Sequence, residues 1–143
     1  MKKGYLKLKN WLLTLAATAV GISCTECAVE YGTPEATYHV KGIVSDLDGR
    51  PIPGIEVNHY GHPYDTTDPQ GAYAFTLKGA FPSLPIDNVT FADIDSTVNG
   101  SYQDSTVSIP TAGVPLSGGN GHWNSGQGQV NYDITLNPKI NDK

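Results

Sequence analysis

Residues 38–57 read YHVKGIVSDLDGRPIPGIEV, and the spacing of their apolar residues decides the fold class. Apolar and polar residues alternate along 38–45, which is typical of a β-strand with one buried face. The Asp-Gly pair at 48–49 predicts a tight turn after this strand. The two prolines that follow keep their neighbours out of a central strand, so we expect the second strand to begin near residue 55.

The rest of the chain repeats short strand-like runs and turns. Tyr73, Phe75 and Leu77 alternate with smaller residues, whereas the polar segment 61–71 contains two prolines and predicts a loop. No stretch after Cys24 shows helical periodicity over about eleven residues. We expect strands near residues 38–45, 55–60, 72–77, 89–94, 102–109 and 130–136. The sequence therefore predicts an all-β fold, a β-sandwich of about seven strands.

The first 23 residues have the parts of a secretory signal peptide. Four lysines and no acidic residue occupy the first ten positions, and an uncharged apolar run extends from Trp11 to Ile22. This run is too short to span a bilayer comfortably, because a membrane helix needs about 20 apolar residues. We therefore expect residues 1–23 to direct export.

The Ser23-Cys24 pair at the end of the apolar run resembles the lipobox of bacterial lipoproteins. In such signals the cysteine thiol receives diacylglycerol, the chain is cut before the cysteine, and the new amino group is acylated. The resemblance implies lipidation of Cys24; Cys27 is the rival, but Glu26 is a poor cleavage neighbour. Two or three acyl chains anchor a protein stably, since each buried methylene contributes about 0.8 kcal/mol. An ordinary signal peptide or a short amphipathic anchor is the alternative.

The chain that follows this leader is acidic. Four of the nine basic residues lie in the leader, so five remain against fourteen acidic residues, a net charge of −9. Residues 24–36 carry three glutamates and no apolar period, which predicts an acidic tether, and residues 37–143 have the size of a single domain. The lack of a basic patch argues against nucleic acid as a partner.

The glutamates that follow Cys24 also bear on localisation. They resemble the surface-export signal of Bacteroidetes lipoproteins. We therefore expect a cell-envelope protein, lipid-anchored at the outer membrane and facing the periplasm or the cell surface.

Three motifs stand together between residues 40 and 77: VKGIVSD at 40–46, GRPIPGIEV at 49–57 and TDPQGAY at 67–73. They resemble the carboxypeptidase-regulatory-like module, whose signature is a strand, a G-x-P-I-x-G turn, a second strand and T-D-x-x-G-x-Y before a third. The resemblance implies a transthyretin-like β-sandwich. It is specific for the fold and implies little about function.

A second resemblance covers nearly the whole chain. It rests on NWLL at 10–13, Cys24, EYGTPEA at 30–36, VKG at 40–42, DID at 93–95 with Asn99-Gly100, and GGNGHW at 118–123. Together these segments are similar to Bacteroidetes lipoproteins encoded beside a radical SAM enzyme, the radical SAM/lipoprotein system. The resemblance implies that the neighbouring enzyme is a partner that modifies the lipoprotein, without identifying the side chain.

Asp93, Asp95 and Asn99 place three oxygen donors within a short segment. Calcium binds clustered carboxylate and amide oxygens around a sharp turn, which makes these residues a weak candidate site. The favoured alternative is a polar strand end followed by a turn at Asn99-Gly100, because Asn-Gly is a strong hairpin signal.

His59 and His62 form a second candidate cluster, close to Asp65 and Asp68. Imidazole and carboxylate groups ligate zinc, but Pro63 stands between these donors and no third ligand is evident. Solvated loop residues are the favoured interpretation.

The segment 113–128 holds six glycines and one large apolar residue, Trp123. We expect a long flexible loop, in which Trp123 stacks on a sugar together with Tyr60 or Tyr64, or in which His122 and Trp123 are open to a modifying enzyme. A loop whose tryptophan folds back to cap the sandwich is the other interpretation.

No catalytic motif stands out. The G-x-S-x-G elbow, the H-E-x-x-H pair and the phosphate loop do not occur, and Asp93 and Asp95 are too close together for general acid and base. We expect no enzyme activity, no catalytic residue and no cofactor. The sequence favours an exported, lipid-anchored, non-catalytic module, with a surface carbohydrate-binding lipoprotein that uses Trp123 as the alternative.

Overall fold

Eight β-strands and no helix make up the part of the chain that the computed structural model describes, residues 32–95 and 98–140. The strands are β1 (Glu35–Ser45), β2 (Ile55–His59), β3 (His62–Thr66), β4 (Ala72–Ala80), β5 (Ile86–Asp93), β6 (Ser105–Ile109), β7 (Asn124–Asn131) and β8 (Ile134–Thr135). The leader 1–23, Cys24 and Cys27 lie outside the described residues. Nowhere in the described ranges is there a helix able to cross a bilayer.

The strands form two four-stranded sheets. In the first sheet β1 lies between β4, which is antiparallel to it, and β7, which is parallel, and the short β8 continues the parallel pairing at the end of β1. The second sheet has the order β3-β2-β5-β6 and is antiparallel throughout. The predicted all-β sandwich is confirmed.

The core contains alternate residues of both sheets. In β1 the buried positions recur every second residue, as at Tyr38 and Val40, and β5 repeats the pattern at Val89 and Phe91. Complete burial of such side chains stabilises the fold by about 1.5–3 kcal/mol each. The buried apolar set is Ala36, Tyr38, Val40, Val44, Ile52, Ile55, Val57, Tyr73, Phe75, Ile86, Val89, Phe91, Ile109, Val130 and Leu136.

Thr67, the first residue of the T-D-x-x-G-x-Y motif, bridges two backbone groups in the interior. Its hydroxyl donates to the Ile52 carbonyl at 2.8 Å and accepts from the Ile55 N–H at 2.9 Å. Thr67 is only 4% exposed, so water is largely excluded from this bridge. The threonine therefore fixes the segment before β4 against the start of β2.

The next two motif residues shape the turn into β4. Asp68 Oδ1 accepts a hydrogen bond from the Ala72 N–H at 2.9 Å and so closes the turn. Gly71 has a φ of 70°, and a Cβ there would lie 2.6 Å from the Val44 carbonyl oxygen. Both the backbone conformation and the close approach require glycine at this position.

Tyr73, the last motif residue, fixes the junction between β7 and β8. Its hydroxyl donates to the Tyr132 carbonyl at 2.6 Å, and burial raises the pKa of Tyr73 well above its ordinary value. The Tyr132 N–H donates to the Lys41 carbonyl at 2.9 Å. A Cβ on Gly42 would overlap this same Tyr132 carbonyl, so the glycine in β1 leaves room for the junction.

One strand lies where the sequence predicts a loop. The segment 61–71 contains β3, which pairs with β2 through a tight turn at Tyr60 and Gly61, both with positive φ. Pro63 within the strand argued against it, because proline cannot donate to a β-ladder. The strand is at the edge of its sheet, however, and there a missing donor is tolerated.

Several predicted boundaries also shift. β1 begins at Glu35, inside the predicted tether 24–36, and Ala36 is buried. β6 begins at Ser105 rather than at residue 102. The predicted last strand, 130–136, is divided between β7 and β8 at the Tyr132 junction, because that carbonyl turns towards Tyr73.

Candidate functional site

A cleft of about 630 Å³ lies on the outer face of the first sheet. Its floor consists of Ile43 in β1 and the small residues Ala72 and Ala74 in β4, which leave the sheet surface open. The rim is polar and consists of Lys41, Asp65, Asp68, Asn131 and Asp133.

The carboxylates of this cleft are engaged with the backbone. Asp65 accepts a hydrogen bond from the Ala74 N–H at 2.7 Å, and Asp133 accepts one from the Ile43 N–H at 2.8 Å. Asp68 closes the turn before β4. These groups hold strand ends in place, so their presence in the cleft has a structural reason.

The glycine-rich segment forms an ordered β-ribbon. Ser117 and Gln127 exchange two backbone hydrogen bonds, of 3.0 and 2.7 Å. At the tip, the Asn120 side-chain oxygen accepts from the N–H groups of His122 and Asn124 at 3.0 and 3.1 Å. The tip therefore presents His122 and Trp123 on a defined turn.

Close backbone contacts explain the glycines of this ribbon. A Cβ on Gly126 would overlap the Ser117 carbonyl, and one on Gly119 would lie 2.7 Å from the Asn124 carbonyl oxygen. The predicted open loop at 113–128 is thus wrong for its last part, which belongs to β7. The glycines allow a tight ribbon, although their composition suggests flexibility.

The Trp123 side chain packs against Gly32, the first residue that the structure describes. A Cβ on Gly32 would overlap the indole ring, and the Glu35 N–H donates to the Trp123 carbonyl at 2.7 Å. Gly32 and Glu35 therefore meet the GGNGHW segment in the fold, although the two lie far apart in sequence. The half-buried Trp123 lines a pocket of about 290 Å³ that also includes Lys78 and Asn124.

The two predicted tyrosine partners of Trp123 lie elsewhere. Tyr64 packs on Phe75, with ring centroids 5.3 Å apart. Tyr60 lines another pocket, of about 480 Å³, with the exposed apolar residues Phe81 and Leu84. Phe81 and Leu84 were not identified as site residues from the sequence. They could have been found as two large apolar residues on either side of a Pro-Ser turn.

Asp95 and Asn99 bond to each other, whereas Asp93 bonds to a different part of the chain. Asp93 is largely buried, and its Oδ2 accepts from the Tyr102 N–H at 2.7 Å. Asp95 accepts from the Asn99 side-chain amide at 2.9 Å. This arrangement fits the favoured alternative, a hydrogen-bonded strand end.

His59 and His62 face each other across the β2–β3 hairpin. The His59 ring makes an edge contact with Tyr60, with centroids 4.7 Å apart, while Asp65 turns to the β4 backbone. Across 32–95 and 98–140, no three His, Cys, Asp or Glu side chains are grouped so that they could hold a metal ion.

The shifted pKa values of Asp46 and His59 arise from structural contacts. A hydrogen bond from the Arg50 backbone lowers the pKa of Asp46, burial opposes this, and the Arg50 side chain lowers it further. Burial lowers the pKa of His59, a hydrogen bond to the Asp87 backbone opposes it, and His62 adds to the lowering. These groups lie at separate turns and do not form a shared acid–base pair.

The sequence-predicted site residues thus fall at separate places: Asp95 and Asn99 bond to each other, His59 faces His62, and Trp123 contacts Gly32. No protein-family model matches this chain, and no curated protein matches it. Proposals about its function rest on its own residues.

Proposed function

We propose that this chain is an exported, lipid-anchored, non-catalytic β-sandwich of the bacterial cell envelope. The single observation that supports this is the order of the chain: a basic, then apolar leader ending in Ser23-Cys24, followed shortly by an all-β domain whose first strand begins at Glu35. Acylation at Cys24 tethers the acidic domain to the membrane, with a transthyretin-like fold as the expected topology.

Intact-mass analysis of the native protein tests the anchor. We expect a mature chain that begins at Cys24 and carries two or three acyl chains. A Cys24→Ala variant should keep its leader and lose the acyl mass, and Cys27→Ala is the matched control, which should be processed normally. An unacylated native protein, or processing that depends on Cys27, would refute the anchor.

Modification by a neighbouring radical SAM enzyme is the partner proposal. It is supported by the ribbon tip, where His122 is exposed and Trp123 contacts Gly32. Peptide mapping of the native protein by mass spectrometry is the test. If lipid is the only mass added, the chain is not a substrate of such an enzyme.

A second candidate function is carbohydrate binding at the surface. It is favoured by the pocket that Trp123 lines together with Glu35, Lys78 and Asn124. An aromatic wall with a few polar groups is the usual composition of a sugar site. Binding that Trp123→Ala removes on a glycan array would support it, and an array without signal would refute it.

A further inference from the structure

The pocket beneath Tyr60 combines exposed apolar side chains with polar groups. Tyr60, Phe81 and Leu84 are 64%, 51% and 56% exposed, and His59, Lys78 and Asp87 also line the pocket. Its volume, about 480 Å³, lies within the range of small-ligand sites, which are mostly apolar with a few polar groups.

Tyr60 is held in a conformation that costs free energy. Its φ is 49°, and its N–H donates at 3.2 Å to the carbonyl of Asn88, whose own φ is 54°. Asn88 belongs to an irregularity in β5, where the register with β6 shifts. Non-glycine residues in this region cost about 1–3 kcal/mol each and are concentrated at ligand sites.

The turn that carries Phe81 and Leu84 is anchored from inside the protein. The Ser83 N–H donates to the buried Tyr38 hydroxyl at 3.3 Å, and the hydroxyl of Thr111, 1% exposed, donates to the Leu84 carbonyl at 2.6 Å. Ser83 has a φ of 65°. The exposed side chains of this turn therefore stand on a fixed backbone.

This pocket and the pocket of Trp123 share two lining residues. Lys78 and Gly79 line both, at a bulge where two residues of β4 face one residue of β1. A Cβ on Gly79 would lie 3.5 Å from a Glu35 carboxylate oxygen, so Glu35 lies next to the same bulge. A strip of aromatic rings and polar groups thus runs around this edge of the sandwich.

The composition of the strip favours a neutral sugar chain. Pyranose rings offer an apolar face to an aromatic ring and hydroxyls to the surrounding polar groups. The strip contains Lys78, Glu35 and Asp87, a net charge of −1 within an acidic protein, so an anionic chain would be repelled. A protein partner would instead need a broad interface of about 800 Å² on this side.

We propose that Trp123 and the Tyr60–Phe81 pocket are two subsites of one binding strip for a neutral oligosaccharide, joined at Lys78 and Gly79. This rests on the second candidate function and extends it, because it assigns a ligand long enough to reach two subsites. A monosaccharide would occupy one subsite, whereas an oligosaccharide would reach both.

Titration calorimetry on the purified full-length protein tests the strip. The probes are neutral oligosaccharides of one to six units, built from glucose, mannose, galactose, xylose or N-acetylglucosamine. We expect at least one series in which longer members bind about tenfold or more tightly than the monosaccharide, because a second ring stacks. Trp123→Ala, Tyr60→Asn and Phe81→Ala should each remove most of that gain.

Tyr64→Ala is the matched control, since Tyr64 is also a partly exposed tyrosine and lines neither pocket; its ring packs on Phe75 and makes one edge contact with His59. Thermal unfolding confirms that each variant is folded. No binding of any probe refutes both carbohydrate binding and the strip. Binding that needs Trp123 but tolerates the changes at Tyr60 and Phe81 refutes the strip alone. Binding that needs Tyr60 but not Trp123 refutes both the strip and carbohydrate binding at Trp123.

Discussion

Replacing Thr67 with valine removes the hydroxyl that links Ile52 to Ile55 while it keeps the shape of the side chain. Two hydrogen bonds are lost, of 2.8 and 2.9 Å, at a residue that is 4% exposed. A buried backbone group left unsatisfied costs about 1–3 kcal/mol, so we expect the free energy of unfolding to fall by about 2–5 kcal/mol. Native domains are stable by only about 5–15 kcal/mol, which makes this a severe loss.

Urea unfolding of the purified protein, followed by circular dichroism, measures the change. Thr67→Ser is the matched control, because serine retains the hydroxyl and loses one methyl group, a cost of about 1 kcal/mol. The thermal midpoint should fall by roughly 8–20 °C for the valine variant and much less for the serine variant. If valine destabilises the protein no more than serine does, the hydroxyl bridge is not what fixes this connection.

Three further changes probe other parts of the fold. Gly42→Ala should reduce stability by about 2–5 kcal/mol in urea unfolding, because the added methyl displaces the Tyr132 carbonyl and breaks its hydrogen bond. Burial lowers the pKa of His59 in the folded state. The contribution of His59 to the free energy of unfolding is therefore complete above its unfolded pKa of about 6.5 and is lost as the pH falls below that value. His59→Gln should flatten the pH profile of stability in that range, and His122→Gln, at an exposed histidine, is the comparison. Tyr60→Asn should raise the thermal midpoint slightly, because asparagine before glycine suits a two-residue turn with positive φ. A Gly42→Ala variant as stable as the wild type contradicts the close contact with the Tyr132 carbonyl. An unchanged pH profile for His59→Gln contradicts the effect of its lowered pKa, and a less stable Tyr60→Asn contradicts the strain at that turn.

The fold was predictable because its signals are local. Alternation along β1 and the turn residues around 48–49 and 67–71 act within a few residues, and the structure uses them as expected. β3 was missed because Pro63 argues against a strand unless its edge position is known. That position depends on the pairing of the whole sheet, which no window of the sequence contains.

The candidate site was less predictable for the same reason. Trp123 stood out by composition, but its contact with Gly32 joins distant parts of the chain. The Phe81–Leu84 turn depends on anchors from Tyr38 and from Thr111, which only the folded chain brings together. Residue spacing therefore identified single side chains, and the arrangement around them came from long-range packing.

The motifs that carry the resemblances have structural duties, and this bears on where function lies. Thr67, Asp68 and Tyr73 direct polar atoms to the backbone, so their presence is explained without a ligand. Tyr60 is different, because it is exposed and adopts a backbone conformation that asparagine or glycine would occupy at lower cost. The strain at the hairpin turn is explained if the Tyr60 ring binds the ligand. A Tyr60 variant that is more stable but no longer binds oligosaccharide would show that stability is lost in exchange for binding.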